Sequence, residues 1–161
     1  MKHRLGPLSE ELLQRVLDLL NSQSTLTLSV ADGAGRAHAA PVFYITSRAP
    51  APAELDLLWL SSNSSLHSVR LAVDPQAAVS IHRPTFAWRE IAGVQMHGLC
   101  STVTGPERQA ALQRYCERFQ LGTVLGLAIR QSTLYRFHPT WVRLTDNRES
   151  FGWKAEFAIE G

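Results

Sequence analysis

The chain has 161 residues, the size of one ordinary domain, and we predict a single domain over residues 1–161 with a flexible segment at residues 1–8. Its apolar share of 45% and charged share of 19% are typical of a globular protein and exclude a disordered one. A formal net charge of +2 does not indicate a nucleic-acid partner, and no stretch approaches the roughly 20 apolar residues of a membrane span. We therefore expect neither nucleic acid nor a membrane as a partner.

The cysteines and the N-terminal residues bear on the cellular compartment. Cys100 and Cys116 form no CxxC pair, so neither a disulfide framework nor a thiolate zinc site is expected. The first ten residues are basic but have no apolar run behind them, unlike a secretory signal. We therefore expect a cytoplasmic protein.

The first elements in chain order are a helix and a β-hairpin. Ser9 is a suitable N-cap for a helix that ends near residue 21, since apolar residues recur there at helical spacing. Residues 25–30 alternate in the period of a strand, and residues 37–46 form the returning strand after an Asp-Gly turn. Pro41 within that second strand indicates an edge strand, the commoner case, or a backbone that a ligand approaches closely.

The rest of the chain predicts strands in runs, separated by two helices. Residues 66–72 and 104–119 have helical spacing, and Thr104 with Glu107 resembles a capping box. Strands outnumber helices by about two to one, which favours an α+β fold or a small barrel with helices packed outside. The predicted strands cover residues 55–60, 77–82, 91–103, 133–138, 141–145 and 153–159.

Five small polar residues separate the strand at 55–60 from the helix at 66–72. Ser64 or Ser65 would cap that helix, and its free backbone N–H groups would carry a partial positive charge that favours phosphate. His67 and Arg70 on the same helix could add charge. The alternative is a serine-rich turn that binds only water.

Near the C-terminus, aromatic and cationic residues alternate in the stretch WVRLTDNRESFGWKAEF. Trp141 and Trp153 with Arg143 and Lys154 suit a planar anionic ligand, or equally an oligomer interface. Arg143 and Lys154 could instead be solvated surface charges.

The sequence assigns no metal site and no catalytic residue. Six histidines form neither HxH nor HExxH, and His97 and Cys100 are spaced to point to opposite faces of a strand. Serine, histidine and aspartate occur without a supporting motif such as GxSxG. His38 and His97 are possible acids or bases, with a structural role the alternative.

Three stretches in order, LTLSVADGAGRAHAAPVFY, LLWLSSNSSLHSVRLAVDPQAAVSI and REIAGVQMHGLC, resemble the pyridoxamine 5'-phosphate oxidase-like, FMN-binding split-barrel family. The resemblance covers about residues 10–160, and the tail TDNRESFGWKAEF is similar to its uncharacterised YhbP-like branch. It implies a mostly β (α+β) fold, a six-stranded antiparallel split β-barrel with flanking helices. It also implies a homodimer with one FMN in each of two clefts between the subunits, and a small-molecule substrate.

The resemblance also implies which residues hold the FMN. The strand at 39–43 would lie along the isoalloxazine ring, and the strand end with the following turn would hold the ribityl phosphate. A cation at Arg143 or Lys154 would stabilise the reduced flavin near its N1–C2 carbonyl edge. The implied cofactor residues are Ala40, Pro41, Val42, Phe43, Ser61, Ser62, Ser65, Leu66, His67, Gln95, Trp141, Arg143, Trp153 and Lys154.

The chain departs from the family pattern in two places. The family usually has an arginine where this chain has Leu66. The phosphate contact of that arginine is worth about 1.5–3 kcal/mol, so its loss should lower FMN affinity roughly tenfold to hundredfold. Another arginine, such as Arg70, could replace it. The Arg-rich C-terminal signature of the oxidase is also absent, which argues against pyridoxine phosphate as substrate. We therefore predict an FMN-binding flavoprotein, an oxidoreductase with another substrate. The alternatives are a non-catalytic flavin- or haem-binding module and a deazaflavin-dependent reductase of the same fold.

Overall fold

The computed structural model describes residues 8–49, 53–122 and 126–159, so the flexible segment expected at residues 1–8 falls almost wholly outside the described part. Helix α1 spans Glu10–Ser22 and begins as predicted, because the Ser9 hydroxyl accepts a hydrogen bond from the Leu12 N–H at 3.1 Å. Its buried apolar stripe packs into the main core.

The described residues form one antiparallel sheet of eight strands in the order β2-β1-β5-β6-β7-β4-β3, with β8 paired to β7. Because β7 is long, its first half pairs with β4 and its second half with β8. The sheet thereby curls into a half-barrel. The strands are β1 (Thr25–Ala31), β2 (Ala37–Phe43), β3 (Ile45–Thr46), β4 (Leu57–Ser61), β5 (Gln76–His82), β6 (Ala92–Thr102), β7 (Thr133–Asp146) and β8 (Lys154–Ala158).

The mostly β (α+β) class and the antiparallel half-barrel are confirmed, but the count of six strands is wrong. The predicted strand at 37–46 divides at Tyr44, whose buried side chain donates a hydrogen bond to the Leu20 carbonyl, and Ile45 then pairs with Leu58 instead of β1. The predicted strands at 133–138 and 141–145 are a single strand that continues through Pro139.

The continuous strand β7 passes Pro139 by means of a bulge, in which Thr140 is an extra residue of β7 with no pairing partner in β6. The pairing register shifts between His97 and Gly98. A Cβ atom at Gly98 would lie 2.2 Å from the His138 carbonyl oxygen, so the two backbones approach closely here only because residue 98 is glycine. The bulge bends both long strands and separates their two halves.

Helices cover parts of this sheet. They are α2 (Leu66–Leu71), α3 (Gly105–Phe119) and α4 (Gly126–Gln131), of which the sequence did not predict α4. The capping box expected at Thr104 is wrong, since the Thr104 side chain makes no cap hydrogen bond, although Pro106 does occupy the first turn. Across the described residues, no helix is long and apolar enough to cross a bilayer.

The core lies inside the curl of the sheet. Leu26, Leu28 and Val30 of β1 are buried on the same face, as their alternation predicts. Trp59, Phe137 and Phe157 are the large aromatic side chains at its centre. A second cluster joins α3 to β3 and β4. Helix α3 thus covers the opposite face of the sheet at β3 and β4, and the opposite face of the other strands is left to solvent or a ligand.

Candidate functional site

We call the side of the sheet that points away from the core the outward face. Strand pairing aligns its residues into two rows that cross six strands, β2-β1-β5-β6-β7-β8. One row contains Pro41, Thr27, Ser80, Gln95, Arg143 and Glu156. The next row contains Ala39, Ser29, Ala78, His97, Trp141 and Ala158.

Aromatic and cationic groups meet where these rows cross β6 and β7. The rings of His97 and Trp141 stack with centroids 4.7 Å apart, and the Arg143 guanidinium lies 5.0 Å from the Trp141 ring centroid. Arg143 also donates to Glu156 at 2.8 Å and to the Gln95 side-chain oxygen at 3.3 Å. Of the predicted residues, Arg143 thus contacts both Gln95 and Trp141.

Two adjoining grooves of about 360 and 500 Å³ run along the outward face and share Ser29, Ala78 and His97. The larger groove is lined mainly by small side chains from β1, β2 and β5, whereas Trp141 and Arg143 line the smaller one. Grooves of this size suit a small organic ligand. Trp141 and His97 give this ligand a flat aromatic surface to stack on.

The predicted ring-binding strand, β2, divides its residues between two sides. Because strand side chains alternate, Pro41 and Phe43 lie on the outward face, whereas Ala40 and Val42 point to the other side and are half-buried. Phe43 is 53% exposed. The edge position expected for Pro41 is confirmed, since β2 ends the sheet order.

The serine-rich turn is largely occupied by contacts within the chain. His67 is 8% exposed, and its Nε2 lies 2.7 Å from the Ser61 hydroxyl and 3.0 Å from the Ser65 hydroxyl. Burial, and to a lesser extent the neighbouring His38, lower the pKa of His67, so this ring is neutral at pH 7. Ser65 caps α2 by accepting from the Ser68 N–H.

The exposed part of the turn consists of Ser62, Asn63, Ser64 and Leu66. The hydroxyls of Ser62 and Ser64 lie 2.9 Å apart and face solvent. Leu66 is 49% exposed and contributes no charge. The turn therefore offers hydroxyl groups but no guanidinium of its own.

Arg70 does not supply the missing guanidinium at the turn. Its Nη1 donates to the Arg36 carbonyl at 3.0 Å, and its Nη2 lies 3.5 Å from the Asp32 carboxylate. Both partners belong to the loop between β1 and β2. The side chain is thus held against the hairpin loop.

The structure separates Trp153 from the other predicted aromatic residue. Trp153 lies at the start of β8 beside Asp146, where the Arg15 guanidinium covers its ring at 4.8 Å, whereas Trp141 pairs with the far end of β8. Lys154 is exposed on the outward face opposite Thr145. Of the tail residues, Lys154 is thus on the outward face and Trp153 packs beside α1.

Sequence reasoning gave no binding role to His97, which is exposed and central to the outward face. Its ring nitrogens make no hydrogen bond within the part of the chain that the structure describes. The spacing of two between Gln95 and His97 in β6 was the signal that could have placed both on one face. Among the described residues, no cluster of histidine, cysteine or carboxylate side chains could hold a metal ion.

No protein-family model matches the chain. A UPF0306 protein from Yersinia pestis bv. Antiqua (strain Angola) is 27% identical to it over 139 residues, which are 86% of this chain and 88% of that protein. This degree of similarity over nearly the full length makes the two chains relatives.

Solved structures at low sequence identity have the same fold. A protein of the pyridoxinephosphate oxidase family from Clostridium acetobutylicum matches with a TM-score of 0.70 at 13% identity, covering 94% of this chain and 97% of that one. An FAD-binding protein from Mesorhizobium loti matches with a TM-score of 0.60 at 16% identity, covering 84% and 92%. The haem storage protein HutZ from Vibrio cholerae matches with a TM-score of 0.61 at 18% identity, covering 81% and 89%. These matches confirm the split-barrel fold.

Proposed function

We propose that the chain is a homodimeric protein that binds FMN, with its ring between the outward face of one subunit and β2 of the other. The observation that carries the proposal is the stack of Trp141, His97 and Arg143 beside the smaller groove of the outward face. A flat aromatic surface with an adjacent cation suits a planar, electron-rich or anionic ring. Split-barrel neighbours that bind flavin or haem support the same class of ligand.

Two copies are needed because one chain places its candidate residues on different surfaces. Gln95, Trp141, Arg143 and Lys154 lie on the outward face, while Ala40, Val42 and the serine-rich turn lie on the other side of the edge strand. A symmetric pair would set the outward face of each subunit against the edge strand and turn of its partner. Each cleft would then contain both sets.

The residues fit FMN well at the ring and weakly at the phosphate. Pro41 and Phe43 offer an apolar strand surface, and the exposed Ser62 and Ser64 hydroxyls can donate hydrogen bonds to phosphate oxygens. Leu66 and the engaged Arg70 leave the turn without a guanidinium contact. We expect the FMN dissociation constant to be roughly tenfold to hundredfold larger than with an arginine at residue 66.

The proposed activity is oxidoreduction of a small organic molecule. When bound, FMN supplies the electron-transfer chemistry, and the protein supplies orientation and charge. Lys154 and Arg143 would stabilise negative charge on the reduced ring, although Arg143 already pairs with Glu156. The larger groove, of about 500 Å³, is large enough for a small substrate beside the ring.

A second candidate function is haem binding, and the exposed imidazole of His97 favours it. His97 lies at the centre of the outward face with its ring nitrogens unengaged within the described residues, and neutral imidazole is a common axial ligand of haem iron. HutZ, which has the same fold, stores haem. His97→Ala should then return the Soret band seen in the haemin titration to that of free haemin.

The experiment is an absorbance titration of the purified protein with FMN and, separately, with haemin. Saturation at one FMN per subunit with a shifted flavin spectrum, followed by bleaching with NADH or NADPH, supports the flavoprotein. A tight haemin complex that depends on His97, without FMN binding, supports the second function. A protein that binds neither at tens of micromolar contradicts both.

A further inference from the structure

A polar pocket lies between β3, the end of α1 and helix α3, and shares no lining residue with the grooves of the outward face. Its volume is about 370 Å³. The lining residues are Asn21, Ile45, Thr46, Arg48, Arg114, Glu117 and Arg118. Three of these seven side chains are guanidinium groups and one is a carboxylate, so the lining is strongly cationic.

None of the three arginines forms an ion pair within the described residues. The carboxylate of the pocket, Glu117, accepts a hydrogen bond from the Gln113 amide at 2.9 Å. Three guanidinium groups therefore share one pocket with a single carboxylate, which is not ion-paired to any of them. Guanidinium groups that are not ion-paired are strong hydrogen-bond donors for an anion.

Backbone carbonyls fix two of the guanidinium groups in place. Arg114 Nη2 donates to the Thr46 carbonyl, and Arg118 Nη2 donates to the Gln23 carbonyl at 2.6 Å. Each guanidinium has five N–H donors, so these bonds leave others for a ligand. Arg48 lines the same pocket as Arg114, and burial of Arg114, with the charge of Arg48 as the second cause, lowers the pKa of Arg114.

We infer that this pocket is a binding site for a small phosphate monoester. A phosphate dianion would compensate converging guanidinium charges, and its oxygens match the planar fork of arginine donors. The pocket has room for a phosphate group with a small organic substituent. The site is independent of the proposed cofactor site, because the two share no residue.

Arg48 separates this proposal from a purely structural role of the cluster. Arg114 and Arg118 tie α3 to the end of α1 and to β3, which accounts for them without a ligand. Arg48 is exposed and forms neither a hydrogen bond nor an ion pair among the described residues. An anion that binds between Arg48 and Arg114 would explain why Arg48 lies in the pocket beside a like charge.

The test is isothermal titration of inorganic phosphate and of glycerol 2-phosphate into wild type, Arg48→Ala and the control Arg130→Ala. Arg130 is exposed on α4 and lies outside the pocket, so its removal matches the change in net charge. Chloride holds the ionic strength constant. We expect Arg48→Ala to weaken both ligands at least tenfold and Arg130→Ala to leave them within twofold, with glycerol 2-phosphate binding at least as tightly as phosphate.

Thermal unfolding in phosphate-free buffer gives a second readout. Arg48→Ala should be at least as stable as wild type there, because repulsion from Arg114 is relieved, and it should lose the stabilisation that phosphate gives wild type. Equal phosphate affinity in wild type and Arg48→Ala overturns the site. Loss of FMN binding in Arg48→Ala with phosphate binding retained overturns it as well, and assigns Arg48 to the cofactor.

Discussion

The serine-rich turn and the outward face both contain residues that the family resemblance gives to a cofactor, but they differ in what those residues contact. His67 in the turn is 8% exposed and bonded to two serines of its own chain. On the outward face, His97 is exposed and stacks on Trp141 beside an open groove. A polar residue in a suggestive motif is thus not necessarily available to a ligand.

The largest expected effect comes from Gly98, which lies opposite the β7 bulge that shapes the outward face. In Gly98→Ala the new Cβ would meet the His138 carbonyl oxygen at 2.2 Å, and we expect a loss of about 3 kcal/mol in the free energy of unfolding. Chemical denaturation measures it. The control Gly33→Ala, where a Cβ meets nothing within 4 Å, should change stability by less than about 0.5 kcal/mol. Equal stability of the two variants would contradict the role given to the bulge.

The second prediction concerns Asp146, whose carboxylate lies beside Trp153 and away from the outward face. Asp146 is 2% exposed and pairs with Arg148 at 2.6 Å and Arg15 at 3.1 Å, and these bonds lower its pKa to about 2. Because the pKa of Asp146 is lower in the folded state than the unfolded value near 4, the ionised carboxylate stabilises the fold by about 2 kcal/mol at pH values above about 4. This contribution is lost as the pH falls from about 4 to 2.

Asp146→Asn should therefore lower the free energy of unfolding at pH 7 by about 2 kcal/mol and flatten its dependence on pH between about 4 and 2. Denaturation curves at several pH values measure both. Glu149→Gln is the matched control, because Glu149 also pairs with Arg15 but is half-exposed, and should cost less than about 0.5 kcal/mol. FMN affinity should stay unchanged in Asp146→Asn. A large loss of FMN affinity would return Trp153 to the cofactor site.

The third prediction concerns the turn itself. His67→Ala removes the hydrogen bonds to Ser61 and Ser65, and we expect a loss of about 1.5 kcal/mol in the free energy of unfolding. Because the folded pKa of His67 is lowered, wild-type stability should also fall as pH drops below about 6.5, and less so in the variant. The exposed Ser62→Ala is the control, with stability unchanged. If His67→Ala were as stable as wild type, His67 would be free for a ligand after all.

The fourth and smallest expected effect is on ligand affinity at the outward face. Arg143→Gln should weaken FMN binding about tenfold, or about 1.4 kcal/mol, because a cation beside Trp141 is lost. Fluorescence titration of FMN measures it. Arg89→Gln is the matched control, since Arg89 lies 4.4 Å from the Trp88 ring but away from the outward face. Equal affinity in wild type and Arg143→Gln would remove Arg143 from the site.

Local signals predicted most elements of the fold. The Ser9 and Ser65 caps, the β1–β2 hairpin and the burial of Leu26, Leu28 and Val30 follow from short-range chemistry, and each is present. The division at Tyr44 depends on a long-range contact with Leu20, and the continuity of β7 through Pro139 depends on the close approach of Gly98 beside the bulge at Thr140. Residue patterns within a strand contain no information about such contacts.

The candidate site was predicted in part for the same reason. Alternation within β7 is a local property, so Trp141 and Arg143 could be placed on one face from the sequence, whereas Gln95 joins them through the pairing of β6 with β7. That His67 is held by Ser61, and that Arg70 is held by Asp32, depends on how α2 packs on β1 and β2. The partners of a polar side chain are therefore harder to predict than its direction.

We propose that each cofactor site combines the outward face of one subunit with the turn of the other. Arg143→Glu alters the outward face and Ser62→Asp alters the turn, and each variant alone should bind little FMN. After subunit exchange, half of the dimers should be mixed, and each mixed dimer should contain one cleft with both sets native. We predict that an equimolar mixture regains about a quarter of the wild-type FMN sites. A mixture that regains none would contradict the claim, and would assign both sets to a site within one chain.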